Sequence, residues 1–330
     1  MTIEHPLKVG WIPYLNFRPL GHELRLARNS SLDIKSGHPS GINRLLAESQ
    51  IDIAPCSSVC MAFIPEHEMA VPCGMVSRGK VMSVYLGLKH EHQYLYEFIH
   101  ERTMLLKLLW QASFHEADIR KSMEQIWNQV LTLPPAMILS PQMKLSSASA
   151  SSSVLARIFY IMWFGHQNYT EAQGHGRISD KPFGTDLPIE LLIGDEALER
   201  RSQFSHVIDL GQAWWDITSL PFVFAVWQSR APIAPALKSK ILKASELAEM
   251  RMKLEPSVYF PEIMPLDTAG RQLPLAEYWK LIDYRLGVEE IRGLIAFLYL
   301  AKHFRPVERS DQILLKIIRL QELSSRMSPN

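Results

Sequence analysis

Residues Ile208–Trp227, IDLGQAWWDITSLPFVFAVW, join two unlike halves in one short stretch. Asp209–Leu220 mixes polar, small and aromatic residues, and we predict a loop there. Pro221–Trp227 is apolar without alternation, which is typical of a strand buried on both faces. Val81–Leu88, VMSVYLGL, has the same character. We interpret the two apolar runs as strands that cross between two α/β lobes, with the aromatic loop in the cleft where ligands commonly bind. A plain core strand followed by a surface loop remains the alternative.

The N-terminal part of the chain alternates short strands with helices. Predicted strands are Lys8–Ile12, Leu32–Lys35 and Ile51–Ala54. Predicted helices are Leu20–Ala27 and one that begins at Pro39-Ser40 with Ser40 as its N-cap. This order predicts a parallel sheet whose ligand-binding loops follow the carboxyl ends of the strands. Further along, the apolar spacing of residues 94–133 predicts about two helices.

Composition limits the classes of function that this chain can have. It has 330 residues with a net charge of +1, so its length suggests about two domains and its charge favours neither nucleic acid nor a membrane surface as a partner. Three cysteines, Cys56, Cys60 and Cys73, suit a reducing compartment. We see no secretion signal and no membrane-spanning run, and therefore expect a cytoplasmic protein. The cysteines and histidines lack the spacing of a metal site, so no metal is expected.

Residues 146–153, SSASASSS, contain only serine and alanine and lead directly into the apolar helical run Val154–Ile161. A low-complexity linker is one interpretation. The other is an anion site, because hydroxyl groups and free N–H groups at a helix N-terminus can bind a carboxylate or a phosphate.

Three further polar residues lie where the predicted strands meet the cleft. Asn16 follows the first strand and is either a turn former or a ligand-binding amide. Arg18 could pair with a carboxylate or remain solvated on the surface. Ser83 lies inside an apolar strand, where its hydroxyl needs a partner, either backbone or ligand.

These segments together resemble the chorismate dehydratase family, whose members catalyse the first step of the futalosine pathway to menaquinone. The resemblance is carried by VGWIPYLNFRPL (9–20), RGKVMSV (78–84), LLIGDEAL (191–198), the stretch at 209–227 and LIDYRLG (281–287). It implies an α/β, two-lobed type II periplasmic-binding-protein-like fold with two crossover strands and the ligand between the lobes. Lobe 1 would comprise residues 1–84 and 225–330, and lobe 2 residues 85–224. A helical insertion at about 91–140 is outside the usual pattern of the family.

The resemblance also implies an activity and a site. The family removes water from chorismate without a cofactor and forms 3-[(1-carboxyvinyl)oxy]benzoate. Its functional asparagine and serine correspond to Asn16 and Ser83, which we expect to hold the enolpyruvyl group and the leaving oxygen. The serine run corresponds to a substrate-binding segment, so a substrate carboxylate is assigned to Ser149, Ser151 and Ser152. Ala150 stands where many relatives have arginine, and Arg18 could compensate for that loss.

Two other functions remain open. One is a non-catalytic protein of the same fold that captures a small carboxylate. The other is the sister enzyme 1,4-dihydroxy-6-naphthoate synthase, whose expected catalytic histidine has no matching motif here. The insertion could cover a lobe, form the face of a homodimer or only decorate the surface.

Overall fold

The computed structural model describes residues 6–25, 32–134, 141–165, 188–304 and 310–327. Within these residues the strands form two sheets. The strands are β1 (Leu7–Trp11), β2 (Leu32–Ser36), β3 (Ile53–Ser57), β4 (Glu68–Ser77), β5 (Val84–Leu88), β6 (Met143–Lys144), β7 (Ile189–Ile193), β8 (His206–Asp209), β9 (Phe222–Ser229) and β10 (Ile282–Arg285). One sheet has the order β10-β4-β9-β3-β1-β2, and the other has the order β6-β7-β5-β8.

Helices pack on both sheets. They are α1 (Arg18–Leu24), α2 (Pro39–Ala47), α3 (Cys60–Phe63), α4 (Gln93–Ser113), α5 (Ile119–Thr132), α6 (Ala150–Phe164), α7 (Asp195–Arg200), α8 (Leu210–Thr218), α9 (Pro235–Leu254), α10 (Leu275–Lys280), α11 (Val288–Ala301) and α12 (Ser310–Met327). The predicted helix at 20–27 begins earlier and ends at Leu24, and residues 26–27 lie outside the described part. Helix α2 has His38, not Ser40, at its N-cap, because Pro39 takes the first helical position, where its missing N–H costs nothing.

The six-stranded sheet is mixed, and the prediction of a parallel sheet is correct only for β1, β2 and β3. Strand β9 lies antiparallel between β3 and β4, and β10 is antiparallel to β4. Gly74 of β4 allows the close approach of β9, because a Cβ atom there would lie 1.9 Å from the carbonyl oxygen of Ala225. The carboxyl ends of β1 and β3 nevertheless share one edge, as the parallel pairing requires.

The chain passes between the two sheets twice. It leaves the six-stranded sheet after β4 and enters the other sheet at β5, which begins at Val84 and not at Val81. Residues before Val84 form a bend instead of strand, because Met82 has a positive φ of 58°. The return passes through β8 and α8 to β9, in which every residue is buried, as the apolar run predicts. We call the six-stranded sheet with its helices lobe 1 and the four-stranded sheet with its helices lobe 2; the boundaries at 84/85 and 224/225 remain a proposal.

The prediction of an aromatic loop at 209–220 is wrong. This segment contains helix α8, and Asp209 is its N-cap, accepting a hydrogen bond from the N–H of Gln212 at 3.1 Å. Trp214 is buried and packs edge-on against Trp110 and Phe297. Trp214 therefore belongs to the core while Trp215 is only half-buried, because helical spacing turns one face of the segment inward.

The insertion forms helices α4 and α5, as its apolar spacing predicts; its residues 135–140 lie outside the described part. Helix α4 packs on α8, and α5 packs on α11. Trp127 stacks on His303 with ring centroids 4.8 Å apart, and Arg292 forms an ion pair with Glu116 at 2.9 Å. The insertion therefore covers a face to which both lobes contribute.

Candidate functional site

A small cavity of about 40 Å³ lies between the two lobes. Its polar lining consists of uncharged side chains: Tyr14, Asn16, Ser57, Ser83, Ser149 and Ser152. Apolar groups such as Phe17, Met75, Ile193 and Phe224 form much of the remaining wall. Of the residues that the structure describes, no lysine, arginine, aspartate or glutamate lines this cavity. The lining suits a small molecule with an apolar body and a few hydrogen-bonding groups. About 40 Å³ holds only a few water molecules, so the two lobes must move apart to admit such a molecule.

Asn16 reaches the cavity from the loop that follows β1. Its side chain is 5% exposed, and its Nδ2 donates to Sδ of Met75 at 2.9 Å. Its backbone carbonyl accepts a hydrogen bond from the hydroxyl of Tyr284 at 2.5 Å. The Oδ1 atom has no hydrogen-bond partner among the described residues. Buried polar atoms are almost always paired, so this oxygen is available for a donor on a ligand.

Ser83 also lines the cavity, directly before β5. Its hydroxyl is buried beside the hydroxyl of Tyr278, yet neither oxygen forms a well-aligned hydrogen bond with the described residues. Burial raises the pKa of Tyr278, so its hydroxyl stays protonated and can act as a donor. The carbonyl of Ser83 accepts the N–H of Gly194 at 2.7 Å, which fixes the strand end against the turn after β7.

Asp209 shapes the bend that presents Ser83. Its carboxylate accepts hydrogen bonds from the N–H groups of Val81 and Met82, with the shortest distances 3.0 Å and 2.8 Å, in addition to capping α8. Burial raises the pKa of Asp209, whereas these backbone donors lower it. The sequence analysis gave Asp209 no role. An aspartate directly before apolar residues at helical spacing is the signal for such a cap.

The serine run is the start of α6 and not a linker. Ser149 is the N-cap, accepting the N–H of Ser152 at 3.4 Å, and the hydroxyl of Ser152 donates to that of Ser149 at 3.2 Å. Both serines line the cavity. The N-terminal end of this fifteen-residue helix therefore brings hydroxyl groups and a favourable dipole to the cavity wall.

Ser151 has a different environment from the two serines beside it. Its hydroxyl oxygen accepts the N–H of Val59 at 3.1 Å and lies 3.0 Å from the hydroxyl of Ser58. The hydroxyl of Ser58 in turn donates to the carbonyl of Val223 at 2.6 Å. Ser151 is absent from the cavity wall and joins α6 to lobe 1, because successive residues of a helix point in different directions.

Arg18 also lies outside the cavity. Its Nε donates to the carbonyl of Tyr259 at 2.6 Å, and its Nη2 reaches the carbonyl of Phe260 at 3.4 Å. It lines a separate, open depression together with Tyr14, His22 and Ser36. The structure thus brings Asn16, Ser83, Ser149 and Ser152 together and leaves Arg18 and Ser151 apart from them.

Asp195 is an acidic residue close to the cavity that the sequence analysis did not assign. It begins α7, directly after Gly194, which lines the cavity. Burial raises the pKa of Asp195 to about 6, partly opposed by the hydrogen bond from the N–H of Leu15 at 3.0 Å. Burial, together with the charge of Asp195, also raises the pKa of Tyr14. A Gly-Asp pair directly after a strand is the sequence signal that marks this turn.

Two kinds of feature are absent from the described ranges, a cluster of metal ligands and a membrane-spanning helix. There, no three histidine, cysteine, aspartate or glutamate side chains are grouped as metal ligands. No helix in those ranges combines the length and the apolar composition that crossing a bilayer requires.

Comparison with known proteins agrees with this architecture. A family model described as menaquinone biosynthesis matches residues 7–139 and 130–303. The alkanesulfonate-binding protein of Xanthomonas axonopodis pv. citri, solved with bound MOPS, superposes with a TM-score of 0.51 at 11% identity, covering 92% of this chain and 95% of that one. An ABC transporter structure from Parabacteroides distasonis gives 0.47 at 14% identity, with coverages of 93% and 95%. A protein of Archaeoglobus fulgidus gives 0.46 at 10% identity, with coverages of 98% and 99%. The predicted periplasmic-binding-protein-like fold is confirmed.

Proposed function

The chain belongs to the menaquinone biosynthesis family, and we propose that within it the protein is a chorismate dehydratase. In this proposal the enzyme removes water from chorismate and releases 3-[(1-carboxyvinyl)oxy]benzoate. The observation that carries it is the pair of buried oxygens that line one cavity, Asn16 Oδ1 and Ser83 Oγ, which lack well-formed hydrogen bonds within the described chain. A ligand that offers hydrogen-bonding groups to both oxygens complements this arrangement.

The reaction needs little from the protein except orientation and charge stabilisation. A proton leaves the ring carbon that bears the ether, and the electron pair is delocalised into the ring carboxylate. Hydroxide then leaves from the neighbouring carbon and combines with that proton as water, while the ring becomes aromatic. Groups that stabilise the negative charge on the carboxylate lower the barrier, and a fixed substrate geometry lowers it further.

The lining residues supply those two contributions. In our proposal the ring carboxylate is bound at the N-terminus of α6, where Ser149, Ser152 and the helix dipole favour negative charge. Asn16 and Ser83 hold the enolpyruvyl group and the leaving oxygen. No carboxylate or histidine lines the cavity among the described residues, so we infer that the enolpyruvyl carboxylate of the substrate accepts the proton.

The test is incubation of the purified protein with chorismate. An aromatic ultraviolet band, together with the mass of 3-[(1-carboxyvinyl)oxy]benzoate, supports the proposal. Asn16→Ala is expected to lower turnover by about 10²-fold, the usual scale for removing one charge-stabilising hydrogen-bonding group. Asn128→Ala, an exposed asparagine of α5, is the matched control and should keep full turnover. Unchanged turnover in Asn16→Ala refutes the role of Asn16.

The second candidate is a receptor that captures a small carboxylate without converting it. Among the described residues no histidine, aspartate or glutamate lines the wall, and such a lining suits binding without conversion. The alkanesulfonate-binding protein of similar fold shows that this architecture can hold an anion. Saturable chorismate binding by calorimetry without product would support the receptor over the enzyme. We further propose a cytoplasmic location and a homodimer, which cell fractionation and sedimentation test separately.

A further inference from the structure

Tyr14 separates the cavity from a second, more open depression, which we call the outer basin. The outer basin has a volume of about 420 Å³, and Tyr14, Arg18, His22 and Ser36 belong to its wall. Tyr14 also lines the inner cavity. The direct route from the outer basin into the cavity therefore runs past the ring of Tyr14.

Residues 13–17, which we call the mouth loop, are fastened to lobe 1 on one side. Trp279 Nε1 donates to the carbonyl of Leu15 at 2.8 Å, and the hydroxyl of Tyr284 holds the carbonyl of Asn16. The hydroxyl of Tyr14 lies 3.1 Å from Nδ1 of His38. The mouth loop thus carries both the ring at the cavity entrance and the Asn16 amide inside the cavity.

The other side of the mouth loop contacts lobe 2 through the Gly194–Asp195 turn. The N–H of Leu15 donates to Asp195 Oδ1 at 3.0 Å, across 180 residues of sequence. The ring of Tyr14 lies against Gly194 so closely that a Cβ atom there would be 2.8 Å from Cε2 of Tyr14. The N–H of Gly194 also bonds the carbonyl of Ser83. One turn therefore contacts the two segments that carry Asn16 and Ser83 into the cavity.

We propose that Asp195 is a positioning residue that latches the mouth loop across the cleft, so that Tyr14 closes the cavity and Asn16 is held in place. A carboxylate is a strong acceptor for a backbone N–H, and this bond forms only when the two lobes are in contact. Opening the bond frees the mouth loop from lobe 2 and lets the ring of Tyr14 swing away from Gly194. The identity of the molecule enclosed rests on the proposed function, whereas the latch does not.

A second contact also joins the two lobes and limits the effect expected from the loss of Asp195. The N–H of Thr268 donates to the carbonyl of Glu199 at 2.9 Å, and the hydroxyl groups of Thr268 and Ser202 are 2.9 Å apart. Loss of Asp195 alone should therefore loosen the mouth loop without separating the lobes.

Hydrogen exchange of the full-length protein without ligand tests the latch. In Asp195→Ala we expect the Leu15 amide to exchange about tenfold faster, the scale of losing one hydrogen bond to a charged acceptor. Asp195→Asn keeps an acceptor oxygen and should restore most of the protection. Asp118→Ala is the matched control, because Asp118 accepts the N–H of Lys121 at 3.0 Å within the insertion; it should speed exchange at Lys121 and not at Leu15. Equal Leu15 exchange in Asp195→Ala and wild type overturns the proposal.

Stopped-flow binding of chorismate supplies the second measurement. Asp195→Ala should raise the association and dissociation rates together by several-fold and leave their ratio nearly unchanged, because the latch closes over an empty and an occupied cavity alike. Unchanged rates in this variant overturn the latch. If wild type does not bind chorismate, the proposed function fails, while the exchange at Leu15 still decides the latch.

Discussion

Ser151→Ala is expected to destabilise the protein without weakening substrate binding. The serine joins α6 to lobe 1 through a buried chain of hydrogen bonds. Because the Ser58 hydroxyl donates to the carbonyl of Val223, the proton of Ser151 must go to Ser58, and the oxygen of Ser151 accepts the Val59 N–H. Every group in this chain has its partner, so none is available to a ligand.

The magnitude follows from what alanine removes. Two hydrogen bonds are lost, and the buried N–H of Val59 is left without a partner, which costs about 2 to 3 kcal/mol of unfolding free energy. An unfolding entropy of about 2.1 cal/mol/K per residue gives about 0.7 kcal/mol/K for a chain of this length. We therefore expect the melting temperature to fall by about 3 to 4 °C, provided that unfolding is a single transition.

The assay combines calorimetric unfolding with the KM for chorismate. Ser152→Ala is the matched control, because the Ser152 hydroxyl bonds only to Ser149 and faces the cavity. It should raise KM and cost less stability than Ser151→Ala. The reasoning is refuted if Ser151→Ala keeps the wild-type melting temperature, or if it raises KM as much as Ser152→Ala does.

Three further outcomes follow from the charged residues around the cavity. The pKa of Asp195, raised to about 6 by burial and by Glu199, lies above its value in an unfolded chain, so its proton favours the folded state at low pH. Relative to Asp195→Asn, wild type should therefore lose up to about 3 kcal/mol of unfolding free energy as the pH rises from about 4 to 7. Urea unfolding of both proteins measures this, and a stability difference between them that does not change with pH would contradict it. Asp209→Asn removes the carboxylate that holds Val81 and Met82, so we expect a loss of about 1 to 3 kcal/mol of unfolding free energy together with a lower kcat, and wild-type kcat would show that the bend does not position Ser83. Arg18 has no ion-pair partner in the described chain, so its positive charge can attract an anionic ligand. Arg18→Gln should therefore slow chorismate association several-fold at low salt and not at about 0.5 M salt, where the charge is screened. A fall in kcat would instead place Arg18 in the reaction itself.

Local pattern was sufficient for much of the fold. The apolar run at 221–227, the strands near residues 8, 32 and 51, and the two helices of the insertion follow from hydrophobic periodicity, which depends only on neighbouring residues. The prediction of a loop at 209–220 failed because this segment is a nine-residue helix with two tryptophans and an aspartate cap. Its mixture of polar, small and aromatic residues is also found in turns, and its packing partners are unknown from the sequence. Likewise, the mixed sheet could not be read from strand order alone, because β9 pairs with strands more than 140 residues away in the chain.

The sequence by itself determined which residues carry polar groups and which segments are strand or helix, and its resemblance to a family pointed to Asn16, Ser83 and the serine-capped helix. Tertiary structure decided which of those groups share a cavity. Ser149 and Ser152 face it while Ser151 joins the lobes, because a helix turns about 100° per residue and only its packing sets which side faces inward. It also placed Arg18 in the outer basin and brought Asp195 to Leu15. Contacts between distant segments depend on how whole lobes pack, and no local pattern of residues records that geometry.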